Sequence, residues 1–196
     1  MRPNESISSG FTAVGMGKAY SASCKPDLFT FANYGAPVPL YIVRHAKAGS
    51  RSEFDGDDRD RPLTNSGRRQ AAELASRLAA VSPTLIVSSP YRRCIETLEP
   101  LGVAIETEVR IDDRLGEFGD KQTRPDTALL DLLYSLPDRS VLCSHGDVIP
   151  AIISVLTDGG MRVYGEPQWS KASVWVVQRV DDRFVEAHAW PPPAVD

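Results

Sequence analysis

Cysteine, histidine and aromatic side chains are all scarce in this chain, and each shortage removes a class of protein. Three cysteines in 196 residues, Cys24, Cys94 and Cys143, make an odd number without paired spacing. They read as reduced thiols rather than a disulfide framework. Aromatic residues make up 8% and the net charge is −4, with a pI of about 5.4. That balance offers neither the basic aromatic face that binds nucleic acid nor attraction to an anionic membrane. No run approaches the roughly 18 apolar residues that cross a bilayer. Phe11 to Met16 is too short, and too broken by Gly15, for a secretory signal. Zinc-ligand spacings, an EF-hand loop and a Walker loop are all missing. The expectation is a cytoplasmic protein with no metal, no cofactor, no nucleic-acid partner and no membrane partner. What remains is ordinary: 42% hydrophobic and 24% charged residues, enough for one well-cored domain.

Along the chain, residues 1–36 are rich in Ser, Gly, Asn and Ala and lack a sustained period. They read as a flexible or loosely packed extension, with Phe29, Phe31 and Tyr34 as docking points. From residue 37 to 196 the pattern is that of one α/β domain. Strands are expected at Pro39–Val43, Thr84–Val87, Val103–Glu106 and Ser140–Cys143. Helices are expected after Thr64, at Arg92–Leu101, at Asp126–Leu136 and at Val148–Leu156. Ser173–Val180 and Arg183–His188 read as a hairpin turned at Asp181-Asp182. Alternating strands and helices predict three α/β/α layers around a mostly parallel sheet, with ligands at the carboxyl ends of the strands. The acidic loop Glu53–Asp60 reads as solvated.

Two of the three histidines end short apolar runs: Tyr41-Ile42-Val43-Arg44-His45 and Val141-Leu142-Cys143-Ser144-His145. A third run, Val87-Ser88-Ser89-Pro90-Tyr91-Arg92-Arg93, ends in cations. Histidines and arginines at neighbouring strand ends suit phosphoryl chemistry. Arginine binds two phosphoryl oxygens at once through its planar fork. A neutral imidazole can attack phosphorus and form a covalent phosphohistidine, and nearby arginines favour the neutral form. His188 fits no such pattern and reads as structural or surface.

Four ordered motifs carry a resemblance: Arg44-His45-Ala46; Arg61-Pro62-Leu63-Thr64 followed by Gly67 and Gln70-Ala71; Ser88-Ser89-Pro90-Tyr91-Arg92-Arg93-Cys94-Ile95-Glu96-Thr97; and Ser144-His145-Gly146. Together they resemble the histidine phosphatase superfamily, with its phosphoglycerate-mutase-like fold, over roughly Pro39 to His188. Within it the chain looks most like short SixA-type phosphatases. Val148-Ile149-Pro150 and Lys171-Ala172-Ser173-Val174-Trp175-Val176 also resemble the phosphatase half of certain two-domain Nudix hydrolases. The resemblance implies His45 as nucleophile, Arg44 and Arg93 as phosphate clamps, His145 as the second pocket histidine and Glu117 as proton donor. It implies Arg51 and Lys171 as substrate contacts. Ala46 departs from the usual glycine; its methyl group is expected to crowd the pocket floor slightly while its N–H stays available.

Only about 50 residues separate Arg93 from His145. One helix is expected there, so little or no helical lid should roof the pocket. A mutase must shield its intermediate from water, so an open pocket points to a hydrolase of large substrates. The partner is then a phosphorylated small molecule of nucleotide type or a phosphohistidine protein. The alternatives are a phosphoglycerate-mutase-like phosphotransferase and a non-catalytic phosphate sensor. The oligomeric state is left open.

Overall fold

Apolar runs that alternate between two buried faces build the centre of the molecule. In the computed structural model, residues 38–118 and 124–195 are described; the extension expected at residues 1–36 lies outside them. The first strand, β1 (Val38–Arg44), sends Leu40 and Ile42 into one apolar cluster and Tyr41 and Val43 into another. Such two-sided burial explains why the run is apolar at consecutive positions. A helix, α1 (Asn65–Ala79), follows the charged loop. Next come β2 (Leu85–Ser88), α2 (Arg92–Ala104), β3 (Val109–Ile111) and α3 (Thr127–Ser135). The chain continues through β4 (Ser140–Ser144), α4 (Val148–Asp158), β5 (Arg162–Tyr164), β6 (Val174–Val180) and β7 (Arg183–Trp190).

The sheet runs in the order β3-β2-β4-β1-β6-β7-β5. β3, β2, β4 and β1 pair in parallel, β6 runs against its neighbours β1 and β7, and β5 lies parallel to β7. Helices α1 and α2 supply Leu74, Leu78, Leu98 and Leu101 to one face. Helices α3 and α4 supply Leu129, Leu133, Ile149, Ile152 and Leu156 to the other. The expected three-layer α/β architecture and the closing hairpin are both present.

One expected strand is corrected. Val103 and Ala104 complete the last turn of α2, and Ile105 and Glu106 form its exit. The Ile105 and Thr107 amides donate back to the Leu101 and Gly102 carbonyls at 3.1 and 2.9 Å, so they are not free to join a ladder. Gly102 is required here, because a Cβ would stand 2.8 Å from the Thr107 carbonyl. The strand comes three residues later as β3. The three-residue strand β5 gave no period-two signal in sequence. Between Arg93 and His145, α3 is the one complete α-helix among the described residues, in keeping with the absence of a helical lid. No helix among the described residues is long and apolar enough to cross a membrane.

Candidate active site

The register of β1 and β4 sets the two histidines side by side. Arg44 pairs with Ser144 in the parallel ladder, and the next amide, His45 N–H, donates to the Ser144 carbonyl at 3.1 Å. Each chain then releases its histidine at the same level, with ring centroids 5.5 Å apart. On the far side of β4, Ser88 of β2 pairs with Cys143. Ser89 N–H bonds the Cys143 carbonyl at 3.0 Å, and Ser89-Pro90-Tyr91 leads into α2. Arg93 lies in the first turn of that helix and is fully buried. Arg92 points away, paired with Glu96 at 2.7 Å.

The loop after His45 is pinned by the second motif. Thr64 caps α1 by accepting from Gly67 N–H at 3.1 Å, and its hydroxyl donates to the Lys47 carbonyl at 3.0 Å. Gln70 accepts from Lys47 N–H at 3.0 Å. A Cβ on Gly67 would collide with the Lys47 carbonyl oxygen, so glycine is the residue that lets α1 approach this loop. The expectation of an available Ala46 N–H is corrected: it donates to Thr97 Oγ1 at 2.9 Å. Its methyl is buried in the α1/α2 core cluster, not on the pocket floor.

Arg44, His45, Arg51, Glu117, Phe118, Gly146 and Asp147 line a cleft of about 450 Å³. His45 Nδ1–H donates to the Ala46 carbonyl at 2.8 Å, which leaves Nε2 as the unprotonated nitrogen. Burial lowers its pKa to about 3, with His145, Arg93 and Arg44 acting in the same direction. Arg44 reaches the Trp169 carbonyl through Nη1. It lies flat against Gly146, where a Cβ would stand 2.5 Å from Nη2. Arg44 Nε and Arg93 Nε are buried without partners among the described residues.

Arg93 is faced by two carboxylates. Glu117 Oε1 lies 2.6 Å from its Nη2 and Asp58 Oδ2 3.0 Å from its Nη1. The His145 hydrogen bond, helped by Arg93, holds Glu117 down at about 2 despite its partial burial. Glu53, Asp55, Asp57 and Asp60 are exposed, and Asp58 is the exception to the reading of the acidic loop as solvated. Burial opposes its ionisation, but Arg61, Arg93 and Arg51 outweigh burial and keep its carboxyl below the ordinary range. Arg61 is itself buried, with Nε 2.7 Å from Asp58. Arg51 is largely exposed and approaches Asp58 at 3.6 Å and Glu117 at 3.9 Å. Lys171 belongs to the same cationic group: burial first, then Arg44, Arg61, Arg93 and Lys47, lowers its pKa. Its neighbour Ala172 donates N–H to the Arg44 carbonyl at 3.1 Å. All seven residues expected at the site are thus brought to one rim of the sheet. His188 sits apart on β7, exposed.

Residues 40–130 match the model of the histidine phosphatase superfamily, branch 1. The chain carries a histidine phosphatase superfamily domain. It is 32% identical over 159 residues to the 8-oxo-(d)GTP phosphatase of Mycolicibacterium smegmatis, covering 79% of this chain and 48% of that protein. The chain spans about half the length, or less, of the curated relatives it matches. The fold is shared with the SixA structure from Nakamurella multipartitia (TM-score 0.56, 22% identity, 83% of this chain and 100% of that one). It is also shared with a mycobacterial glucosyl-3-phosphoglycerate phosphatase bound to VO3 (TM-score 0.54, 24% identity, 76% and 99%).

Sequence reasoning missed several groups around this pocket. Ser89 and Cys94 touch His145 at 2.7 and 3.5 Å, and both stood inside a quoted motif without a role. The Tyr91 and His145 rings meet T-shaped, centroids 4.7 Å apart. Asp58 was visible only as one of many loop acids. Among the described residues, no group of three or more His, Cys, Asp or Glu is arranged to hold a metal ion.

Proposed function

We propose that this protein is a metal-independent phosphatase that works through a covalent phosphohistidine on His45. The observation that carries the reading is the state of His45: Nδ1–H is tied to its own chain at 2.8 Å, burial keeps the ring neutral, and two guanidinium groups flank it. Nε2 attacks phosphorus; an N–P bond forms and the bond from phosphorus to the leaving group breaks. Arg44 and Arg93 hold the charge that develops on the equatorial oxygens. Water then attacks the phosphohistidine, releasing phosphate and returning the electron pair to Nε2.

Glu117 is the proton donor in this scheme, but it stands as a carboxylate bound to Arg93. An arriving phosphoryl dianion competes for Arg93, and its charge favours protonation of Glu117. The donor is therefore armed by the substrate. The unpaired Arg44 Nε supports an anion as ligand, since a buried donor without a partner is costly.

The open cleft and the relation to an 8-oxo-(d)GTP phosphatase support a nucleotide-type phosphate as substrate. A phosphohistidine protein is the other large substrate that such a cleft fits. The test is a substrate panel near neutral pH with chelator present: p-nitrophenyl phosphate, nucleoside di- and triphosphates, a phosphohistidine protein and phosphoglycerates. Activity that survives chelation and vanishes in His45→Ala is expected. Mutase turnover above hydrolysis would replace the reading with a phosphotransferase, and phosphate binding without turnover would replace it with a sensor.

A further inference from the structure

The inner edge of His145 lies among fully buried polar groups, and the reading above assigns that edge no role. The residue is fully buried, and its two nitrogens face different surroundings. Nδ1 faces the cleft side, 3.4 Å from Glu117 Oε1 and 3.4 Å from Arg93 Nη2. Nε2 faces inward, 2.7 Å from Ser89 Oγ and 3.5 Å from Cys94 Sγ. Ser89 Oγ also receives Tyr91 N–H at 3.4 Å. Cys94 Sγ has the Ser144 carbonyl at 3.8 Å.

We propose that Cys94 is a positioning residue for the phosphoryl pocket: with Ser89 it keeps the Nε2 proton on His145, so that Nδ1 is the nitrogen presented to Glu117 and the bound phosphoryl group. Cys94 directs its one proton at the Ser144 carbonyl, so its sulfur meets Nε2 as an acceptor; the Ser89 hydroxyl can serve either form, and a proton on Nε2 keeps the buried sulfur from facing a nitrogen lone pair. Once Nε2 is protonated, the Glu117 carboxylate favours a second proton on Nδ1 and a cationic ring. A cation is the form that stabilises transferring phosphate.

The other groups around His145 do not replace Cys94. His45, from the end of β1, and Arg93, from α2, both disfavour a positive ring. Tyr91 meets the ring T-shaped as a neutral side chain. Glu117 favours the cation but acts at Nδ1, on the opposite side. Cys143 of β4 hydrogen-bonds the Cys94 thiol and bears on His145 only through it. Burial works against the His145 cation, and Cys94 and then Glu117 outweigh it. The thiol shows the reciprocal effect: burial pushes it up, and hydrogen bonds with Cys143 and His145 bring it below the ordinary thiol range.

This inference rests on the phosphatase reading for its consequence in turnover, but its direct test does not need turnover. The full chain is labelled with 15N-histidine, and the His145 ring is followed by NMR from pH 5 to 9, using His145→Gln for assignment. The expected spectrum shows Nε2 protonated throughout and Nδ1 titrating. In Cys94→Ala the Nδ1 titration moves to lower pH by about half a unit, about threefold in proton affinity, and in Cys94→Ser it returns toward the parent. The alkaline limb of kcat/KM moves with it, while KM near pH 5.5 stays put.

A His145 ring protonated on Nδ1 alone at neutral pH in the unmodified chain overturns the proposal, whether or not Cys94→Ala folds. An unchanged titration in folded Cys94→Ala also overturns it. If no substrate is turned over but the ring behaves as expected, the phosphatase reading fails and the role of Cys94 stands. If turnover is present and the ring is indifferent to Cys94, the reverse holds.

Discussion

Gly146 and Glu117 show how single side chains tune this pocket. Arg44 lies on the bare backbone of Gly146, and an added methyl would meet only the far end of that flexible arginine. Gly146→Ala is therefore expected to leave the unfolding free energy within about 0.5 kcal/mol of the parent while displacing the clamp. Activity should fall at least about tenfold, corresponding to about 1.4 kcal/mol of lost transition-state stabilisation. A parallel loss of stability and activity would argue against this picture. Glu117 holds Arg93 at 2.6 Å, so it competes with the ligand as well as serving it. Glu117→Gln is expected to bind inorganic phosphate more tightly in calorimetry. It should lose about a hundredfold in turnover of alkyl phosphomonoesters, and much less for p-nitrophenyl phosphate or a phosphoanhydride, whose leaving groups need no proton. Equal losses on all substrates would contradict the donor role.

Whole elements matter here through where they start. β1, β2 and β4 each end at a functional group, and α1 and α2 begin beside one. The first turn of α1 holds the loop after His45 through Thr64, Gly67 and Gln70. Gly67→Ala forces the Lys47 backbone to move, because carbonyl oxygen and not a pliable side chain stands in the way. The expected cost is on the order of 1–3 kcal/mol, with loss of activity, since His45 is two residues from Lys47. Thr64→Ala should cost about 1 kcal/mol through the lost cap. Denaturant unfolding of both variants measures this; a Gly67→Ala chain as stable as the parent would mean that α1 docks less closely than the geometry requires. At the other end of the sheet, Arg179 gathers the Tyr134 and Leu136 carbonyls at 2.6 and 2.9 Å and closes α3. That helix end was legible from Pro137; the buried cation that satisfies it was not.

For the molecule as a whole, the site's buried charges predict an acid-labile protein. The folded His45 has a pKa of about 3 against its ordinary 6.5, so the unfolded chain takes up the proton first. Stability is then full above about pH 6.5 and falls as pH drops from there toward 3. Glu117, at about 2 against 4.5, adds a second loss as pH falls from 4.5 toward 2. His145 is shifted upward and acts oppositely, its contribution fading as pH rises through its folded value. Thermal melts from pH 3 to 8 should show the acid loss, and His45→Asn should flatten its upper part; a mutant with the parent's slope between pH 4 and 6 would show that His45 is not buried as a neutral ring.

By itself, the sequence determined that buried strands end in histidines and arginines, and hence the α/β class, the rim and the phosphoryl character, because two-sided burial and strand-end chemistry write themselves into local order. The tertiary structure decided what depends on contacts between distant segments: the Asp58 and Glu117 carboxylates on Arg93, the Ala46 amide on Thr97, and the thiol behind His145. Those are set by register and by helix approach, which no local pattern encodes. Val103–Glu106 failed for the same reason, since its alternation fits a strand while its amides are already claimed by the end of α2.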